Sequence, residues 1–215
     1  IQPVVANSVT VALAAAVFIM LVASLIVLTA AFRGGSKLRK LALISSTGYA
    51  FPGTILAIGI LIYAGYIDHL FRLISDGMIS SFLVAGLGLL MLAYLVRFQA
   101  VGYGAILSGV RRLPENLMSA SRVLGHGYGA SLRQIILPLL KSSFIAGLML
   151  VFVDIMKELP MTLLLRPFDF ETLATYTYQF AKDEMLEKAA LPSLMIVITG
   201  LIPVILMSTM LRRYR

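Results

Sequence analysis

An all-α bundle of about five membrane-spanning helices is the fold that this 215-residue chain predicts. Three observations point there. Hydrophobic residues make up 60% of the chain and charged residues only 13%, where a soluble domain carries about 25% charged. The mean hydropathy is +0.95. The charges gather in short clusters between apolar runs of about 20 residues, the length that crosses a bilayer. There are no cysteines, which excludes disulfides and thiolate metal sites.

Ser8 to Phe32 is almost wholly apolar and forms the first span. It lacks a basic leader and is too long for a signal-peptide core, so it reads as a retained helix. Arg33-Gly34-Gly35-Ser36-Lys37-Leu38-Arg39-Lys40 is a basic turn. Leu41 to Tyr66 is the second span. Its Phe51-Pro52-Gly53 predicts a kink, tolerated in a membrane where neighbours re-satisfy the backbone. With Gly59, these residues mark a bent helix open to close contact with another helix. Ile67 to Met78 is a short connection carrying Asp68, His69, Arg72 and Asp76. Ile79 to Val96 is the third span, with Gly86 and Gly88 as points of close helix approach. Arg97 to Leu137 is a long basic segment, Pro138 to Lys157 the fourth span, and Glu158 to Ala190 a polar excursion. Leu191 to Leu211 is the fifth span, and Arg212-Arg213-Tyr214-Arg215 follows it.

The charges orient these spans. Segments 33–40, 97–141 and 212–215 hold thirteen of the 18 Lys and Arg and one acid, Glu115. The connections 67–78 and 157–190 hold the other five and eight acids. The positive-inside rule puts the first group in the cytoplasm. Five spans then leave the N-terminus outside and the C-terminus inside. The net charge of +8 is a product of this sorting, and no basic-aromatic surface remains for nucleic acid.

The segment from Glu115 to Pro138, ENLMSASRVLGHGYGASLRQIILP, organises the polar part of the chain. Pro114 and Glu115 suit a first helical turn. Leu117, Met118, Ser121 and Leu124 recur at helical steps. Gly125 suits a left-handed helix end. Ser131 with Gln134 has capping-box spacing for a second short helix. Two short helices meeting at a glycine corner are therefore expected. In the excursion, residues 171–188 read as an amphipathic surface helix. Leu173, Tyr176, Phe180 and Met185 would face membrane or partner, and Lys182-Asp183-Glu184 water.

Asp154, Lys157 and Glu158 stand at helical spacing near the end of the fourth span. A lipid-facing carboxylate in a bilayer costs at least ~2.5 kcal/mol, so Asp154 should face protein or water. Two readings stay open: a place on a translocation path or gate, together with Pro52 and Gly53, or an Asp154–Lys157 ion pair that orients the helix. No metal site is assigned; Asp154 and Glu158 would offer a hard cation transient contact at most. Catalytic motifs are absent. There is no Gly-x-x-x-x-Gly-Lys-Ser/Thr loop and no His-Glu-x-x-His. Gly125-His126-Gly127-Tyr128-Gly129 has the wrong spacing for a dinucleotide fingerprint. The chain reads as no enzyme and as holding no cofactor itself.

The polar segment resembles the cytoplasmic EAA loop of ABC-importer permeases. Ser119-Ala120-Ser121 stand where that family has Glu-Ala-Ala, and Gly125, Ile135 and Leu137-Pro138 fall in register. The departures are Ser119 for Glu and Ser121 for Ala. The excursion resembles ferric-iron ABC permeases of binding-protein-dependent systems, through Lys157-Glu158-Leu159-Pro160, Leu163 to Phe168 and Phe170 to Thr175. The resemblance implies the type I importer transmembrane-domain fold over residues 1–215, with a cytoplasmic coupling loop at 97–137 and an external loop at 158–190. Such permeases resemble tandem repeats of a six-helix unit, so this chain looks like the second half of one, a single domain beginning at Ile1 within a larger polypeptide. The resemblance also implies a bacterial inner-membrane location, a second permease half or subunit, two cytoplasmic ATPase subunits carrying ATP and magnesium, and a periplasmic solute-binding protein. It implies alternating access, with residues 119–121, 125, 135 and 137–138 meeting the ATPase. Ferric iron is the first substrate; thiamine, phosphonate or polyamine permeases share the pattern. The competing reading is an ATP-independent carrier or membrane scaffold, for which Pro52 and Asp154 supply a weak broken-helix and carboxylate signature.

Overall fold

The first helix is the axis of the bundle. The computed structural model describes residues 1–74 and 86–213. α1, Gln2–Phe32, starts with a proline in its first turn, where a missing N–H costs nothing. One face is a stripe of small and medium side chains: Ala12, Ala15, Ala16, Ile19, Met20, Ala23 and Val27, all fully or almost fully buried. α2, Ser36–Ile44, follows a two-glycine turn. A 3-10 turn, Thr47–Ala50, leads to α3, Gly53–Ile74. α4 spans Leu87–Val110. α5, Leu117–Val123, and α6, Tyr128–Ser131, form a short corner. A wide turn, Leu132–Ile136, and α7, Leu137–Leu139, connect α6 to α8, Lys141–Met156. α9, Pro160–Leu165, α10, Leu173–Lys182, and α11, Leu186–Arg213, complete the order. Among the described residues there is no strand.

α1, α3, α4 and α11 are each long and apolar enough to cross a membrane. Tyr128–Leu139 with Lys141–Met156, bent by 63°, makes a fifth candidate. α4 and α8 pack on either side of the α1 stripe, and α11 packs on α8 and α10. Small residues set these approaches. A Cβ on Gly102 would lie 3.1 Å from that of Ala23, and one on Gly147 would lie 2.7 Å from that of Ala105. One on Gly109 would run into Ser143. Close helix contact in lipid needs such positions. The expected positions were others: Gly86 lies outside the helix as the extended N-cap of α4, and nothing lies within 4 Å of a Cβ on Gly88.

Several boundaries differ from the expected spans. The second span is interrupted rather than kinked, because Pro52 cannot donate a backbone hydrogen bond and the chain from Ser45 to Pro52 leaves the α-helix. α3 then runs on through Asp68 and His69, which were expected in a connection. The third span starts at Leu87 and continues to Val110, so Arg97 lies inside a helix instead of opening a polar segment. Residues 75–85 and 214–215, with Asp76, the start expected for the third span and the last residues of the basic tail, lie outside the described residues. α11 begins at Leu186, before the expected fifth span. The amphipathic helix of the excursion is shorter than 171–188. It spans Leu173–Lys182, and Glu184, with φ 59°, stands just beyond its end. Leu173 is wholly buried, while Tyr176 and Phe180 pair edge-on at 4.8 Å and Met185 is exposed.

Candidate functional site

Two constellations hold the polar chemistry. The first is the corner between α5 and α6. α5 ends in a reciprocal pair of backbone bonds: Gly125 N–H donates to the Arg122 carbonyl at 2.9 Å and His126 N–H to the Ser121 carbonyl at 3.1 Å. That pattern needs a left-handed residue between them, and Gly125 has φ 87°. The corner is then locked from inside. Ser131 Oγ donates to the Gly127 carbonyl at 3.0 Å, and Ser121 Oγ donates to Ser131 Oγ at 2.7 Å. Both serines are buried. Ser131 thus lies within the helix and makes no capping box with Gln134; α6 starts one turn earlier, from Gly127. Pro114 and Glu115 likewise precede α5, whose N-cap is Asn116.

Leu117 and Met118 pack under this corner against Leu28, Ile136 and Leu140. Its outer surface is Ser119, Ala120, Val123 and Leu124, the last two 87% and 76% exposed. Leu124 shares helical spacing with Leu117, Met118 and Ser121, but as the C-cap of α5 it is exposed while they are buried or half-buried. Ile135 is half-buried in the wide turn, and Leu137 and Pro138 are exposed beside the bend. Pro138 has no N–H to give the Gln134 carbonyl. The turn before it widens, and Leu137 N–H reaches back to Leu132 instead of Arg133. Arg33, at the end of α1, stacks over Tyr128 at 4.3 Å and ties the corner to the bundle.

The second constellation forms where the interrupted α2–α3 segment crosses the middle of α4. Arg97 Nη1 donates to the Phe51 carbonyl at 3.0 Å, and Arg97 Nε lies 3.7 Å from Glu158 Oε2. Glu158 is buried, and its Oε1 accepts the Met161 N–H at 3.3 Å. Thr162 Oγ1 donates to the Glu158 carbonyl at 2.7 Å, and the Tyr94 hydroxyl donates to Thr162 at 2.5 Å. Gly53 is wedged at the centre: a Cβ there would lie 2.9 Å from both Arg97 Nη1 and Glu158 Oε1. Pro52 beside it is exposed. Lys157 Nζ pairs with Asp154 Oδ1 at 2.8 Å. Glu158 therefore turns away from Asp154, because α8 stops at Met156 and the backbone changes direction. Sequence reasoning grouped Asp154, Lys157 and Glu158 on one helical side and missed Arg97. The signal available was an arginine within an otherwise apolar helical run.

The excursion is anchored separately. Arg166 is ion-paired with Glu171 and donates to the Phe170 carbonyl at 3.0 Å. Glu171 also accepts from Thr175 Oγ1 at 2.7 Å and Gln179 Nε2 at 2.9 Å. Partial burial raises its carboxyl pKa, but the bonds from Arg166, Thr175 and Gln179 outweigh that and hold it below the ordinary value. Leu173 N–H donates to Ser8 Oγ at 2.6 Å, fixing the loop to α1.

Residues 23–215 match the family described as "Binding-protein-dependent transport system inner membrane component". The chain belongs to that family, and the class of protein is an inner-membrane permease of ABC-importer type. Among individual proteins it is similar to "Fe(3+)-transport system permease protein FbpB 2" of Haemophilus influenzae, 25% identical over 160 residues. That match covers 74% of this chain and 29% of the relative, so the chain spans about a third of its length. Its fold is that of a chain in inward-facing structures of the MetNI methionine ABC transporter, with a TM-score of 0.68, 14% identity, and coverage of 100% of this chain and 95% of that one.

Proposed function

We propose that this chain is the transmembrane subunit of an ABC importer that takes ferric iron from a periplasmic binding protein and releases it into the cytoplasm by alternating access. The observation that carries the reading is the α5–α6 corner. It is internally rigid, held by Gly125 and the Ser121–Ser131 bond, yet it presents Val123 and Leu124 almost fully to the outside. A rigid exposed knob can carry a rigid-body movement from one subunit to another. In this reading Ser119, Ala120, Ser121, Gly125, Ile135, Leu137 and Pro138 form the EAA-like contact with a cytoplasmic ATPase dimer, which supplies ATP and magnesium. With Arg97 inside α4, the clusters at 33–40, 111–141 and 212–213 keep the basic excess on the corner's side, which supports a cytoplasmic C-terminus and an external N-terminus.

The second constellation stands for the path or gate. The interrupted segment around Pro52 and Gly53, with Arg97 in mid-α4, Glu158 against it and the Asp154–Lys157 pair at the end of α8, is where a second permease half would complete a passage. Iron is supported by the named function of the Haemophilus relative and by the resemblance of residues 157–175. Thiamine, phosphonate or polyamine are the competing solutes, and an ATP-independent carrier is the competing mechanism. The test is reconstitution of the full transporter, with its ATPase and binding protein, into liposomes. ATP-dependent uptake of labelled ferric iron above that of the other three solutes is expected. Uptake without ATP, or preference for another solute, overturns the respective half of the proposal.

A further inference from the structure

The ends of α1, α2 and α4 border a half-open cleft of about 700 Å³ beside the corner. Val27, Ala30, Phe32, Leu43, Tyr103 and Leu107 line its length, and Arg111 and Glu115 stand at its mouth. The walls change character abruptly at the helix ends. Below Val110 they are hydrocarbon with one phenol; beyond it the surroundings are cationic. Arg33, Lys37, Lys40 and Arg112 are exposed in the segments that adjoin these walls, and Arg111 and Glu115 line the mouth itself. Arg33 is engaged over Tyr128, and Arg111 is the cation that lines the opening.

The inner walls of this cleft are mostly apolar, and covering apolar surface that would otherwise face water is favourable. Its walls suit hydrocarbon, and its mouth suits an anion. From this juxtaposition we infer that the slot holds an anionic phospholipid, with an acyl chain along Val27–Phe32 and Tyr103–Val110 and the phosphate beside Arg111. Basic openings between spanning helices take such headgroups, and a zwitterionic lipid of the same chains lacks the net charge that draws it there. Leu113 and Pro114 also line the slot, so a seated lipid braces the start of the α5–α6 corner.

The test uses the complete transporter in nanodiscs containing a photoreactive-chain phosphatidylglycerol or a phosphatidylcholine with the same chain. After irradiation, adducts are mapped by mass spectrometry. Phosphatidylglycerol adducts should concentrate on residues 27–32 and 103–114. Labelling should fall about thirtyfold in Arg111→Gln/Arg112→Gln, as expected for two lost surface cations at about 1 kcal/mol each, and stay unchanged in Lys182→Gln/Lys188→Gln. High salt should lower phosphatidylglycerol labelling of the unaltered protein toward the phosphatidylcholine level, a readout that needs no variant. Equal labelling by the two headgroups overturns the inference. So does labelling insensitive to both the arginine changes and salt, or no adduct in the slot at all.

Discussion

Arg97 and Glu158 meet 3.7 Å apart across the backbone of Gly53, so a half-buried arginine and a buried carboxylate join three separate elements. Removing one partner leaves a buried charge without its counterion, which costs roughly 3–5 kcal/mol. Arg97→Gln should therefore lower the thermal midpoint of the purified transporter sharply. Arg97→Gln/Glu158→Gln should recover most of the loss, since no ion then remains unpaired. A double variant as unstable as the single one would show that the pair is not the anchor.

Three glycines in the same region should respond differently to alanine. Gly53→Ala places a methyl 2.9 Å from two polar side-chain atoms that have some room to give, for a cost of about 1–3 kcal/mol. Gly48→Ala drives a methyl into the Val96 carbonyl oxygen, which is backbone and cannot move aside; its loss should be the largest. Gly59→Ala meets nothing within 4 Å and should be neutral or stabilising by up to about 1 kcal/mol through helix propensity. Thermal melts of the three variants check the order.

Gly125→Val tests the corner. A Cβ has open space there, but φ 87° is strained for any side chain, at roughly 1–2 kcal/mol. The variant should reach the membrane in near-normal amount, with ATPase stimulation and uptake both reduced per assembled complex. Normal coupled uptake in that variant would refute a coupling role for the corner.

Asp154→Asn separates the two readings of the Asp154–Lys157 pair. The lysine side chain is 64% exposed, so as a structural contact the pair is worth no more than ~1 kcal/mol. Assembly should persist. Uptake should fall severalfold if the pair serves the passage; full uptake would remove Asp154 from the mechanism.

The Glu171 cluster sets a pH dependence. Its folded carboxyl pKa is lowered, so its contribution is fully present above the unfolded value of about 4.5 and is lost as pH falls through the folded value. The difference in melting temperature between the unaltered protein and Glu171→Gln should be largest at neutral pH. It should shrink progressively below pH 4.5. A difference constant with pH would mean that the ion pair with Arg166 does not hold the loop.

Hydrophobic run length and charge sorting determined the helical membrane fold from sequence alone, because a bilayer forces every backbone polar group into local hydrogen bonds. The glycine corner was legible for a similar reason: left-handed geometry at Gly125 is a local demand, satisfied within six residues. A disturbance at Pro52 was also visible, since proline acts on its own turn, but as a kink within one span rather than the break from Ser45 to Pro52.

Tertiary structure decided the rest. Arg97 reads in sequence as the first residue of a basic segment; only the packing of the interrupted α2–α3 segment and α9 against α4 gives its charge a buried partner. Glu158 reads as the helical neighbour of Asp154, until the chain turns after Met156 and sends it to Arg97 instead. The close approaches fell to Gly102, Gly109 and Gly147, not to Gly86 and Gly88, because which face of a helix meets a neighbour is fixed by all its contacts together. Local periodicity states what a segment can form; long-range pairing of charges and small side chains states where it sits.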